Sequence, residues 1–500
     1  MQRARLLLHK EFRKAKIDPR IYGSFVEHMG RVVYTGIYEP DHPQADEEGF
    51  RKDVMKAVKE AGISIIRYPG GNFVSGYDWE DGVGPKDSRP VRLDLAWKSL
   101  ETNQFGTDEF MHFVGKSGAE PMMAVNLGVN GIKDALHYLE YCNFPGGTKY
   151  SDMRKDHGVE EPYGIKTWCL GNEMDGDWQL GHKTAEEYGR LAQETAKAMK
   201  LMDSSIELVS CGSSLNTMAT YPQWEATTLD YTYDYVDYIS LHQYFDGHEK
   251  SFSAFLAQAD EMNEFIENVG AVCDFIKTKK RSDKKLFISF DEWGVWTRNS
   301  DETVNECDAN PWQEAPIISE MIYSFEDALL FGGMLMALIK NADRVKIACQ
   351  SLLANISSMI MTQKGGEMWL QTIYYPFAQA ARYARGTVLD TRLECEKKVE
   401  GSKEIPLVDA LAVENDKELV ILAINRNATE KVDFQIKLEE YRPVEVREHL
   451  VLHHENLQVT NEIDHEAVKP THQNNCKILE NTVELELNPA SWNVIVIGVE

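Results

Sequence analysis

Basic charge is scarce in this chain of 500 residues: 53 Lys and Arg stand against 80 Asp and Glu, for a formal net charge of −27. That deficit argues against a nucleic-acid partner, whose phosphates require a basic face, and against docking on anionic lipid. A neutral ligand meets no such repulsion, although the plainer reading of the acidity is solubility. Long apolar runs are also missing. Leu6-Leu7-Leu8 near the N-terminus is too short for a secretory signal, and nothing in the sequence is long enough to span a bilayer. The eight cysteines (142, 169, 211, 273, 307, 349, 395 and 476) form no CxxC and no close pair, so zinc-ribbon and thioredoxin-like readings drop out. Several sit in apolar surroundings such as Trp168-Cys169-Leu170, which reads as buried free thiol. HExxH is absent, no GxGxxG follows an early strand, and no spaced acidic loop suggests calcium. The expectation is a reduced, cytoplasmic protein without metal or cofactor, in which the Asn427-Ala428-Thr429 acceptor goes unused. No internal repeat or low-complexity tract interrupts the chain.

What is present is an ordinary globular composition, 43% apolar and 10% aromatic, at a length that calls for two domains. Eight short apolar runs alternate with helical patterns: Ile21 to Val26, Ile63 to Arg67, Met122 to Asn126, Lys166 to Leu170, Glu207 to Ser210, Tyr238 to Leu241, Leu286 to Phe290 and Arg344 to Ala348. Each looks like a strand buried on both faces. Helical spacing marks Asp53 to Glu60, Thr184 to Met202 and Ser251 to Lys277. Eight such units predict a parallel, closed (β/α)8 TIM barrel over about residues 16–385, with an open doubly wound sheet as the rival. After residue 385 the texture changes to short alternating runs, including Leu419 to Ile424, Val432 to Ile436, Val483 to Leu487 and Trp492 to Ile497. These predict a C-terminal antiparallel β-sandwich over 386–500, with residues 1–15 joining it, as a support domain.

Polar residues collect where the barrel strands end: Glu27-His28, Tyr68 to Asn72, Asn126, Gly171-Asn172-Glu173, His242-Gln243-Tyr244 and Asp291-Glu292-Trp293. In a (β/α)8 barrel those ends line one pocket. Glu173 after strand four and Glu292 after strand seven stand on opposite sides of such a barrel and can face each other. Retaining glycosidases need two carboxyls about 5 Å apart, one a nucleophile and one an acid/base. A single strand-end glutamate is about as readily a structural ion pair; the pair at strands four and seven favours catalysis.

These segments resemble glycoside hydrolase family 51, the α-L-arabinofuranosidases. Gly171-Asn172-Glu173-Met174-Asp175-Gly176 resembles the family's acid/base loop, and Phe290-Asp291-Glu292-Trp293 its nucleophile strand. Tyr22 to His28, Arg67 to Phe73 continuing through Pro85, Leu93 to Trp97, His242 to Tyr244, Ala342 to Lys346 and Ser491 to Val494 also match, so the likeness spans nearly the whole chain. The resemblance implies Glu173 as proton donor and acceptor and Glu292 as nucleophile. It implies substrate contacts from Glu27, Asn72 and Asn172, the last on the sugar 2-hydroxyl. Tyr244 orients the nucleophile and His242 supports the acid/base; otherwise His242 is a hydrogen-bonded core histidine. Trp97 and Trp178 either stack on sugar or simply pack.

The chain departs from the pattern at four places. Leu352 stands where relatives carry a sugar-contacting Gln, with Gln350 two residues earlier. Gly294 replaces Asn after Trp293, Leu370 replaces the Arg between Trp369 and Gln371, and Asp177 replaces a common Pro. These changes bear on which sugar is accepted. The implied reaction is exo-acting hydrolysis of terminal arabinofuranose from small imported arabino-oligosaccharides, by a homohexamer or other homo-oligomer. Open alternatives are a retaining glycosidase of other specificity (endoglucanase, β-xylosidase or galactofuranosidase), a non-catalytic sugar-binding protein, or a metal-dependent barrel hydrolase.

Overall fold

The structure, a computed structural model, describes residues 2–247, 250–297, 306–401 and 403–500. Eight parallel strands close a barrel in chain order: β1 (Gly23–Phe25), β2 (Ile65–Tyr68), β3 (Glu120–Val125), β4 (Thr167–Leu170), β5 (Glu207–Ser210), β6 (Tyr238–Asp246), β7 (Phe287–Trp296) and β8 (Val345–Gln350). Closure comes where Cys349 and Gln350 pair with Gly23 and Ser24. A side chain at Gly23 would meet the Ala348 carbonyl at 2.5 Å and Ile65 at 2.6 Å, so only glycine lets β1 enter between its neighbours. The predicted closed barrel is therefore the fold, and the open-sheet rival falls.

Two strands run further than the apolar pattern indicated. β6 continues through His242 and Tyr244 to Asp246, and β7 through Glu292 to Trp296, still paired with each other. The register shifts on the way: Ser240 faces Ser289, but His242 faces Glu292. β7 also carries an extra residue against β8, where Phe290 faces Ala348 and Trp293 faces Gln350. A β-bulge at Asp291 accounts for both shifts. The helix expected over Ser251 to Lys277 is two helices, Phe252–Leu256 and Gln258–Lys280, separated at Ala257. The one expected from Thr184 is Ala185–Met202, with Thr184 as N-cap in a capping box with Glu187.

The other layer is a sandwich of a five-stranded and a seven-stranded sheet. Both ends of the chain supply it. Gln2–His9 lies in the first sheet, parallel to Val432–Glu439 and antiparallel to Arg392–Cys395, so one pair departs from the antiparallel pattern. Arg13–Lys16 lies at the edge of the second sheet, against Thr387–Leu389. Leu6, Leu8, Phe434, Ile436, Ile421 and Ile495 fill the space between the sheets. On Glu418–Asn425 the alternate residues Val420, Leu422 and Ile424 point the other way and join the barrel core. There the helix Phe325–Lys340, buried from Phe325 through Ile339, is wedged between barrel and sandwich. A helix apolar all round is what such a double interface demands. Among the described residues no helix is long and apolar enough to cross a membrane, and six of the eight cysteines are buried.

Candidate active site

The site is built on the C-terminal ends of the strands. Glu173 follows β4 through Gly171, at φ 86°, and itself adopts φ 45°. A left-handed non-glycine residue costs about 1–3 kcal/mol and persists where its surroundings hold it; here it turns the adjacent side chains of Asn172 and Glu173 toward one place. Glu292 arrives from across the barrel on β7. One oxygen of each carboxyl and a ring nitrogen of His242 lie within 4.8 Å of one another. The carboxyls border a cavity of about 400 Å³ shared with Glu27, Asn72, Trp97, Trp178, Tyr244 and Leu352.

The two glutamates have different surroundings. Glu292 Oε1 accepts from Arg67 Nη1 at 3.0 Å, and Oε2 lies 2.9 Å from the Tyr244 hydroxyl. Arg67 is itself buried, and its Nη2 donates to Asn172 Oδ1 at 2.6 Å. That fixes the Asn172 amide with its Nδ2 unpartnered, next to the nucleophile position. Glu173 accepts from His242 Nδ1 at 2.9 Å and from the Trp178 indole at 2.7 Å. Burial, reinforced by the Glu292 charge, pushes the Glu173 carboxyl above its ordinary range despite those bonds. Glu27 accepts from the Phe73 amide and the Trp97 indole at 2.8 and 3.0 Å. Burial and the Glu292 charge still push it up to about 8. Burial likewise raises Tyr244, which stays a proton donor.

His242 lies beneath the cavity rather than in its lining. Nδ1 faces Glu173, and Nε2 lies 3.0 Å from Asp291 Oδ1. Burial opposes its charge, but Glu292, Asp291 and Glu173 outweigh burial and raise it to about 10. The imidazole is thus a cation with both nitrogens protonated. Glu173, His242 and Glu292 are also spaced for a metal ion, a use that would require His242 Nδ1 to give up the proton it shares with Glu173.

The expected site residues Glu27, Asn72, Glu173, Tyr244 and Glu292 all border the cavity, while Asn172 and His242 pack behind it. Gln350 does not fill the place left by Leu352: it is fully buried, and its amide donates to the Ser351 and Ser357 carbonyls. Leu352 itself supplies apolar wall. Leu370 lies on a different crevice, beside Lys52 and Glu462, so that departure does not touch the cavity. Ser351 and Trp296 were not singled out from the sequence, and Arg67 and Asp291 stood at strand ends without an assigned role. Arg67 had a signal, a cation ending an apolar strand, because a buried charge demands a partner. The bulge that brings in Asp291 had none.

A closed barrel presenting two carboxyls this close across one pocket, one beside a guanidinium and one pushed toward its protonated form, defines a glycoside hydrolase. Two family models match, the α-L-arabinofuranosidase 1 domain over residues 57–265 and the α-L-arabinofuranosidase C-terminal domain over residues 291–491. The chain is 53% identical over 503 residues to an intracellular exo-α-(1→5)-L-arabinofuranosidase of Acetivibrio thermocellus, covering 100% of both chains. It is 45% identical to an exo-α-(1→6)-L-arabinofuranosidase of Bifidobacterium longum, covering 99% of this chain and 97% of the other. A solved family 51 α-L-arabinofuranosidase from Bifidobacterium longum superimposes with a TM-score of 0.93 at 40% identity, covering 99% of this chain and 100% of that one. The chain belongs to glycoside hydrolase family 51, the α-L-arabinofuranosidases.

Proposed function

We propose that this protein is an intracellular, exo-acting, retaining α-L-arabinofuranosidase that releases terminal non-reducing arabinofuranose from arabino-oligosaccharides, with Glu292 as nucleophile and Glu173 as acid/base. The observation that carries the roles is the carboxyl pair within 4.8 Å across the cavity, the spacing of double displacement rather than of single displacement through an interposed water. In the first step a Glu292 oxygen bonds to the anomeric carbon, the glycosidic bond breaks, and Glu173 gives its proton to the departing oxygen. In the second, Glu173, now a carboxylate, takes a proton from water; that water oxygen bonds to the anomeric carbon and Glu292 departs as carboxylate.

The surroundings serve both steps. Arg67 and Tyr244 hold Glu292 in place. The free Asn172 Nδ2 is the donor for the sugar 2-hydroxyl, a contact that strengthens in the transition state. Glu27 and Asn72 take the outer hydroxyls, and Trp97 and Trp178 flank the sugar. A pocket of about 400 Å³ suits a terminal residue better than a through-running polymer. The same proposal takes residues 16–385 as the catalytic barrel, 386–500 with 1–15 as its support, and the active form as a homo-oligomer, a hexamer first, which sedimentation velocity tests.

Glu173→Ala and Glu292→Ala, assayed on nitrophenyl α-L-arabinofuranoside, test the roles. The first variant should turn over activated substrate with slow deglycosylation and be rescued by azide; the second should be nearly inactive. Full activity in either overturns the roles, and activity lost on exhaustive chelation would point to a metal hydrolase instead. One observation favours a second specificity, another furanose or a pyranose: Leu352 gives the cavity an apolar wall where the family pattern has Gln. A panel of aryl glycosides separates the two.

A further inference from the structure

Successive residues of a strand point to opposite faces, so Asp291 and Glu292 would not both face the barrel interior if β7 were regular. The extra residue in β7 removes that restriction. Asp291 is fully buried and does not line the cavity. Its Oδ1 takes the Ser240 hydroxyl and His242 Nε2, and its Oδ2 takes the Ser289 hydroxyl at 3.1 Å and the Cys169 thiol at 3.7 Å. Every bond it makes is internal. The single one directed at the reaction is to His242, whose other nitrogen lies 2.9 Å from Glu173 Oε1 and 3.5 Å from Glu292 Oε2.

Double displacement moves a negative charge between those two glutamates. Before the first step Glu292 is the anion and Glu173 holds a proton. After it Glu292 is a neutral ester and Glu173 is the anion. Arg67 pairs with Glu292, but among the described residues no ion pair joins it to Glu173. The cation within reach of both is His242. We propose that Asp291 is a positioning residue, placed on the inner face beside Glu292 by the β7 bulge, to fix His242 as a standing cation whose Nδ1–H serves whichever of Glu173 and Glu292 carries the charge. The proposal rests on the acid/base and nucleophile roles given above.

The charged groups facing His242 are Glu173 and Asp175 from the loop after β4, and Asp291 and Glu292 from β7, with Arg67 of β2 beyond them against Asp291. Burial opposes charge on Asp291, but Arg67, His242 and Ser240 hold it below the usual carboxylate range, so it stays anionic throughout. Asp291→Asn keeps the shape and removes the charge. Without its nearest permanent counter-ion the ring titrates lower, and activity falls once it is neutral.

The decisive experiment follows the His242 ring nitrogens by 15N NMR between pH 5 and 9, with His242→Gln to assign them, alongside kcat and KM profiles over the same range. In the unaltered enzyme the ring should remain doubly protonated throughout. In Asp291→Asn it should become neutral at least about one pH unit earlier than in the parent. The alkaline limb of kcat should move down with it, and kcat at pH 9 should fall at least about twofold with KM little changed. A ring that stays protonated in the variant, or a loss of kcat with an unaltered pH profile, overturns the proposal. Should Asp291→Asn fail to fold by circular dichroism, Ser240→Ala loosens the same carboxylate and should shift the titration in the same direction; an unshifted titration there overturns it equally. The ring titration is read without turnover, so it stands apart from the Glu173 and Glu292 variants that test the underlying roles.

Discussion

Tyr244→Phe isolates one contact of the nucleophile. The hydroxyl lies 2.9 Å from Glu292 Oε2 and 2.8 Å from Ser351 Oγ, so phenylalanine removes the contact to the nucleophile together with the one to Ser351 and keeps the ring. A hydrogen bond to a charged group contributes about 1.5–3 kcal/mol. Its effect on rate differs between the steps. In the first step it stabilises the attacking carboxylate, which loses charge on the way to the transition state, so removing it does not slow attack through charge. In the second, Glu292 regains charge as it departs. If about half that charge has returned at the transition state, the lost contribution is roughly 0.7–1.5 kcal/mol, a slowing of roughly 3- to 13-fold. Deglycosylation therefore becomes limiting: kcat on nitrophenyl arabinofuranoside should drop by that factor, KM should fall or hold, and stopped-flow traces should show a burst of nitrophenol. A raised KM with unchanged kcat and no burst would show that Tyr244 binds sugar and does not serve the nucleophile.

Three further outcomes follow from other contacts. Glu27 is raised in the folded protein from 4.5 to about 8. The stability tied to its neutral form is therefore complete below about pH 4.5 and lost as pH rises through 8, so Glu27→Gln should gain Tm relative to the parent across that window; a constant Tm difference would refute the shift. If the free Asn172 Nδ2 reads the 2-hydroxyl, Asn172→Ala and a 2-deoxy substrate should each lower kcat/KM about 10- to 100-fold and together do little more; additive losses would separate the two groups. A methyl on Gly332 would sit 2.7 Å from the buried Trp492 ring, so Gly332→Ala should cost about 1–3 kcal/mol in urea unfolding, and an unchanged midpoint would mean that the barrel–sandwich seam gives way easily.

The barrel was legible because strands buried on both faces must be apolar along their whole length, and runs such as Met122 to Val125 satisfy that without exception. The same criterion shortened β6 and β7: from His242 and Asp291 onward the chain becomes polar, and polarity reads as loop, although the ladder between these strands continues to Asp246 and Trp296. Glu173 and Glu292 were visible because their chemistry depends on strand ends, which an apolar pattern locates well. Asp291 was not. Its facing inward beside Glu292 depends on one extra residue in β7, and a bulge leaves no mark in composition or periodicity where two acidic residues adjoin. The division at Ala257 escaped for a similar reason: the apolar spacing carries across the break.

The acidity of the whole chain does not extend to the reacting centre. Arg67 and His242 are cations and Asp291 an anion, and Glu292 serves as the second anion. Glu27, pushed up to about 8, is neutral at physiological pH, and Glu173, pushed up by burial, holds the proton that the first step spends. Arg67 and His242 then face Asp291 and Glu292 around a neutral sugar, and the first step preserves that balance by moving one negative charge from Glu292 to Glu173. Ionising Glu27 as pH passes 8 upsets that balance with a third anion beside Glu292, and no further cation pairs with it among the described residues. Activity should therefore fall from about pH 8 even on aryl substrates that need no proton from Glu173, and in Glu27→Gln the fall should move up to the later limb set by His242 near pH 10. A limb that stays at pH 8 in that variant would remove Glu27 from the charge balance.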